Sequence, residues 1–278
     1  MPSETTPRDR IGLVVSLVLT GVVLSSVTAL PAWRFEVPVL GSPLGIGLPS
    51  QALMALLIVG LTAAGVDALV RAVPGRGRVH VRYTATFWIL PCLVALAAAL
   101  AVPSQIGRPA AWFASLALLG LLFTAVVQAE VASVRPEGAH YRAARVVLNI
   151  ATYAAAFALY ATIYRLQARS LISATAVLAV TFPLAIELLR GGEEELQTTG
   201  LYAGVIALVT AELTWAVNAW GLSGLSGGTL LLVAFYTLSG IAQQHVAGRL
   251  NRRVLTEFAT IALIGLAAVW LGSPWLTP

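Results

Sequence analysis

Within the apolar run from Leu201 to Leu222 the sequence reads VTAELTWAVNAW from Val209 to Trp220, with one acid, Glu212, near the middle. A carboxyl at that depth can exchange a proton or hold a cation. It is also expensive: an ionised acid at the centre of a membrane span costs about 2.5–3.5 kcal/mol on insertion scales. Trp215 and Asn218 follow at i+3 and i+6 and complete a candidate midplane polar site. Such groups usually face a bundle interior or a water-filled cavity, so Glu212 is expected to point away from lipid. There it could serve as a proton or cation site, or as a protonated acid that fixes packing by a hydrogen bond to a neighbouring helix.

A second constellation lies at the opposite ends of the apolar runs. Asp67, Glu130, Glu187, His245 and Glu257, with Gln128, Asn149, Gln243 and Gln244, fall where helices should reach one face of the membrane. Asp67/Arg71, Glu187/Arg190 and Arg253/Glu257 stand three or four positions apart, the spacing of same-face helical pairs. Such pairs suit any helix end at an interface. Taken together they could also form a cytoplasmic vestibule that binds an ion, a lipid headgroup or a partner.

Other chemistry is limited by what the chain lacks. All 17 basic residues are Arg, so a lysine Schiff base and a P-loop are excluded. The one cysteine, Cys92, can form neither an internal disulfide nor a Cys-based metal site. His80, His140 and His245 are far apart and show no metal-ligand spacing. The only aspartates are Asp9 and Asp67, too few for an aspartate-rich diphosphate site. No catalytic residue, metal or cofactor is therefore expected, and the chain is not expected to be an enzyme. Trp33-Arg34, the GxSG of Gly221–Gly224 and the HxxG of His245–Gly248 are similar to pieces of the rhomboid intramembrane protease signature. Ser223 and His245 are separated by one whole helix, about 33 Å at 1.5 Å per residue, whereas a nucleophile and its base must touch. The spacing rejects the dyad.

The elements that must position these residues are spans. The chain is 58% hydrophobic and 10% charged, against about 25% charged in a soluble domain. Mean hydropathy is +0.86. Nine apolar runs predict transmembrane helices at 11–30, 51–70, 85–102, 110–132, 146–164, 171–189, 200–221, 228–246 and 254–272. The first is longer than a signal-peptide core and reads as a retained helix. Residues 31–50, rich in Pro and Gly, should form an ordered outer loop or a short surface hairpin. The fold class is thus an all-α polytopic transmembrane bundle, with residues 1–278 as a single integral membrane domain.

Arginine placement orients it. With the N-terminus cytoplasmic, 13 arginines fall inside and four (Arg34, Arg108, Arg165 and Arg169) outside. Nine helices then put the C-terminus outside. Trp33, Trp112, Trp220, Trp270 and Trp275 gather near the outer boundary, as an aromatic belt does. Thr62, Thr124, Thr181 and Thr237 each precede a polar group and an Arg at a helix end, a pattern that could mark four repeated hairpins.

AELTW, then AQQHVAGRLNRRVLTEF followed by an apolar run, resemble a family of uncharacterised bacterial multi-pass membrane proteins over about the last third of the chain. The resemblance implies a bacterial inner-membrane location and brings no activity. The lead reading is a membrane-embedded accessory or scaffold protein that contacts the lipid bilayer and other membrane protein subunits or lipid headgroups. The second is a small-solute or proton-coupled transporter using Glu212. The third is an enzyme acting on a lipid-linked substrate at the cytoplasmic face. The placement of the arginines gives no reason to expect nucleic acid.

Overall fold

The computed structural model describes residues 7–28, 33–39, 42–48, 50–73, 85–134, 138–166, 170–190 and 196–271. His80, Arg169 and Trp275, and four of the thirteen arginines counted as inside (Arg76, Arg78, Arg82 and Arg135), lie outside them, as does the acidic triplet Glu193–Glu195 that precedes the seventh predicted helix. Among the described residues nine helices are long and apolar enough to cross a membrane. They are α1 (Pro7–Val27), α2 (Ser50–Arg71), α3 (Ala85–Ala101), α4 (Pro109–Ser133), α5 (Tyr141–Arg165), α6 (Ser170–Leu189), α7 (Leu196–Ala219), α8 (Gly224–Val246) and α9 (Arg252–Leu271). The expected loop after α1 holds an antiparallel hairpin, β1 (Trp33–Val39) and β2 (Ser42–Leu48), with Trp33 opposite Leu48 and Val39 opposite Ser42.

The chain divides into two compact units, residues 1–144 and 145–278. In the first, α1 packs on α2 by close approach. A Cβ on Gly65 of α2 would stand 2.9 Å from a Val14 methyl, and one on Gly21 of α1 would stand 3.0 Å from Ile58. The α1–α4 contact places Gly120 against Leu19, and the Trp112 indole donates to Ser26 Oγ at 3.4 Å. A cavity of about 250 Å³ opens between α1 and α2, lined by Arg10 and by apolar residues including Leu13, Leu17 and Leu61.

In the second unit α5 is tied to three helices through tyrosine hydroxyls. Tyr153 Oη bonds Ser239 Oγ of α8 at 3.2 Å, and Tyr160 Oη bonds Thr181 Oγ1 of α6 at 2.8 Å. Tyr164 donates to the Val217 carbonyl of α7 at 2.7 Å. Gly227 and Gly228 let α8 lie directly against Tyr164 and the Ala161 backbone. Small residues at such crossings are what helices in lipid use, because apolar burial alone gives no preference for protein over acyl chain.

Each of the four threonines of the suggested repeat donates its hydroxyl to the carbonyl four residues earlier: Thr62 to Ile58, Thr124 to Gly120, Thr181 to Val177 and Thr237 to Val233. Thr152, Thr175, Thr210 and Thr260 do the same. The back-bond is the common answer of a helical threonine in an apolar setting, so it gives the repeat no support.

Candidate functional site

On α7 the inward face is small and hydroxylated. Ala203, Ile206, Ala207, Thr210, Ala211, Thr214 and Val217 are buried, and Thr210 and Thr214 donate to Ile206 O (2.7 Å) and Thr210 O (3.0 Å). Glu212 is two residues from each of these threonines, a rotation of about 200°. It therefore emerges on the opposite side of the helix, and it is exposed. This corrects the expectation that Glu212 turns inward. Trp215, 55% exposed, lies on the same outer side, together with exposed Leu201, Val205 and Leu208. Asn218 separates from them: it is half-buried and donates to Ser173 Oγ of α6 at 2.9 Å. The three residues are thus not one polar site. Asn218 holds α6 and α7 together, while Glu212 and Trp215 look outward. Gly200 and Gly204 sit further along α7 with nothing within 4 Å of where a Cβ would be.

The vestibule residues likewise resolve into different arrangements. In the first unit Asp67 pairs with Arg71 at 2.6 Å along α2, and Glu130 is fully buried in α4. In the second, Glu257 pairs with Arg253 at 3.2 Å on an exposed turn of α9. The His245 ring lies 5.9 Å from that of Tyr202. All three local pairs read from spacing are present.

Glu187 joins a larger cluster. It is 1% exposed near the end of α6, and its Oε1 receives Arg190 Nη2 at 3.0 Å and Arg145 Nη1 at 3.3 Å. Arg145 Nη2 also donates to the Glu187 backbone carbonyl at 3.2 Å. From α8, Gln243 Nε2 donates to the Leu188 carbonyl at 3.1 Å. Glu187 Oε2 is buried and has no hydrogen-bond partner among the described residues. Arg145 is the member that sequence reasoning missed. It counted only as one more inside arginine, because its partner is 42 residues away.

Ser223 is the N-cap of α8, accepting from the Ser226 amide at 3.3 Å, and His245 lies in the last turn of the same helix. They stand at opposite ends of it, so they form no dyad. Among the described residues no group of three or more His, Cys, Asp or Glu side chains could hold a metal ion.

No curated protein and no solved structure matches the chain. A family profile matches residues 30–272, well beyond the C-terminal third that carried the resemblance. That match covers both units of the fold, α9 and the outward face of α7 included. The chain belongs to DUF5656, a family of proteins of unknown function.

Proposed function

We propose that the protein is a multi-pass accessory or scaffold subunit of the bacterial cytoplasmic membrane, and that the outer face of α7 docks a transmembrane helix of another membrane protein. The observation that carries this reading is the exposure of Glu212 within an apolar helix. A carboxyl facing hydrocarbon leaves its hydrogen bonds unmet, so a protein surface is the neighbour that lowers its energy. Exposed Leu201, Val205, Leu208 and Trp215 surround Glu212 on that side and give a partner helix an apolar surface to pack against.

The occupant is a helix offering a donor or a cation, not a second copy of this chain. Two copies meeting here would bring two Glu212 carboxyls together. Among the described residues every Arg and His lies near a helix end or outside the helices, so none is placed to answer them at mid-span. Transport through a path inside this chain gains no support from Glu212, which lines the outside of its unit.

A photo-crosslinking residue at Leu208 tests the proposal in native membranes, with the same residue at exposed Leu263 of α9 as the comparison. Docking predicts a discrete protein adduct at Leu208 that is missing at Leu263 and lost in Glu212→Leu. Adducts with lipid alone would overturn docking, and an adduct of twice the chain mass would replace the partner with a second copy.

A further inference from the structure

Glu212 and Trp215 stand three positions apart on the outward side of α7. At that spacing helical side chains are neighbours, with about 5–6 Å between Cβ atoms. Both are exposed, and among the described residues neither makes a hydrogen bond, an ion pair or a ring contact. The two carboxylate oxygens of Glu212 are therefore open acceptors, and the Trp215 indole is open beside them. Ala216 and Ala219, one turn further on from each, are exposed too and add only methyl groups to the surface.

Depth narrows what can reach this pair. Glu212 lies seven residues before the end of α7 at Ala219, about 10 Å along the axis at 1.5 Å per residue. A lipid headgroup stays at the membrane surface, whereas a side chain on a partner helix is carried to any depth. A metal ion would meet one carboxylate, and among the described residues no group of three metal-binding side chains exists. Resting on the docking of a helix against this face, we infer that the partner presents an arginine, its guanidinium paired with Glu212 and stacked on Trp215. Arginine is the cation that suits both groups at once. Its planar fork matches the two carboxylate oxygens, and its flat face stacks on an aromatic ring. A lysine ammonium is a point charge with no plane, and a glutamine amide brings a donor without charge.

Four synthetic transmembrane peptides test the assignment. Each is a Trp-flanked leucine–alanine helix, shown to span by oriented circular dichroism, with Arg, Lys, Gln or Leu at the depth of Glu212. The purified full-length chain, carrying a photo-crosslinking residue at Leu208, is reconstituted with each peptide in phosphatidylcholine vesicles. The Arg peptide should give about tenfold more adduct than the Leu peptide, the size of a strong polar contact between helices in a bilayer. It should exceed the Lys and Gln peptides by about threefold, the size of a ring contact at an exposed site. Glu212→Gln and Trp215→Leu should each lower the Arg adduct about threefold and leave the Leu adduct unchanged. If either variant melts early, the ranking of the four peptides on the chain with both residues intact decides alone. Equal yields from the Arg and Lys peptides would overturn the assignment of arginine, and equal yields from Arg and Leu would overturn any charged contact at Glu212. Docking itself is decided separately by the native-membrane adduct at Leu208. If that adduct is present while the peptides do not differ, the partner helix has another chemistry; if it is absent, the docking face and its arginine fall together.

Discussion

Thr210 and Glu212 stand two positions apart on α7 and face opposite sides of it, the threonine fully buried and the acid exposed. The fold therefore does not use the Glu212 side chain. Glu212→Leu should leave thermal unfolding of the purified chain within about 0.5 kcal/mol of wild type, the range of surface changes. A loss of several kcal/mol in detergent would show that the carboxyl is a structural group after all.

The glycines of this bundle divide into filled and open positions, and the two kinds should respond oppositely. A Cβ on Gly228 would lie 2.7 Å from the Ala161 Cα, a backbone atom that cannot move aside. Gly228→Ala should destabilise the chain by about 1–3 kcal/mol, as overpacking does. At Gly204 the added methyl meets nothing within 4 Å. Gly204→Ala should be neutral, or stabilising by up to about 1 kcal/mol through helix propensity. Melting curves of the two variants side by side check the pair.

Removing one member of a buried ion cluster strands the charge it leaves behind. Arg145→Met takes a donor from Glu187, which is almost completely buried, and should cost about 3–5 kcal/mol. Arg253→Met breaks a pair at a similar distance on an exposed turn and should leave the melting temperature unchanged. Equal effects of the two changes would mean that burial does not set the strength of these pairs.

The arginine asymmetry makes a prediction about sidedness. Reporter fusions after Arg82, Arg145 and Arg253 should read as cytoplasmic, and fusions after Arg108 and Pro278 as external. A cytoplasmic signal after Pro278 would remove one of the nine helices from the set that crosses.

The nine helices were legible because a span must be apolar along its whole length, and that signal survives without knowledge of any partner. Their ends were less so. The runs predicted at 11–30, 146–164 and 200–221 begin four or five residues inside the observed helices Pro7–Val27, Tyr141–Arg165 and Leu196–Ala219. Apolarity marks the hydrocarbon part of a helix, whereas the backbone stays helical through polar residues such as Asp9, Arg10, Arg142 and Arg145. The rotation of α7 was misread for a related reason. In lipid the outer face of a helix is as apolar as the inner one, so periodicity of hydrophobicity does not say which side is in. Small and hydroxylated residues do, and Ala203, Ala207, Thr210, Ala211 and Thr214 form such a stripe. Glu212 is off that stripe, a signal present in the sequence all along. The Arg145–Glu187 contact had no local signature, since it exists only once α5 and α6 lie side by side.

The last helix, α9, rests on α8 at two notches: Gly240 receives the Phe258 ring and Gly265 faces the Val233 methyls. Nearly all the rest of its surface is open, with Val269 its one buried position among the described residues. A joint of this kind is shape without adhesive, and an acyl chain can fit the same notches as well as a side chain does. Within the second unit α9 is therefore the helix with the least to lose by parting from its neighbours, the hinged leaf beside α5, α6, α7 and α8, which tyrosine hydroxyls latch to one another.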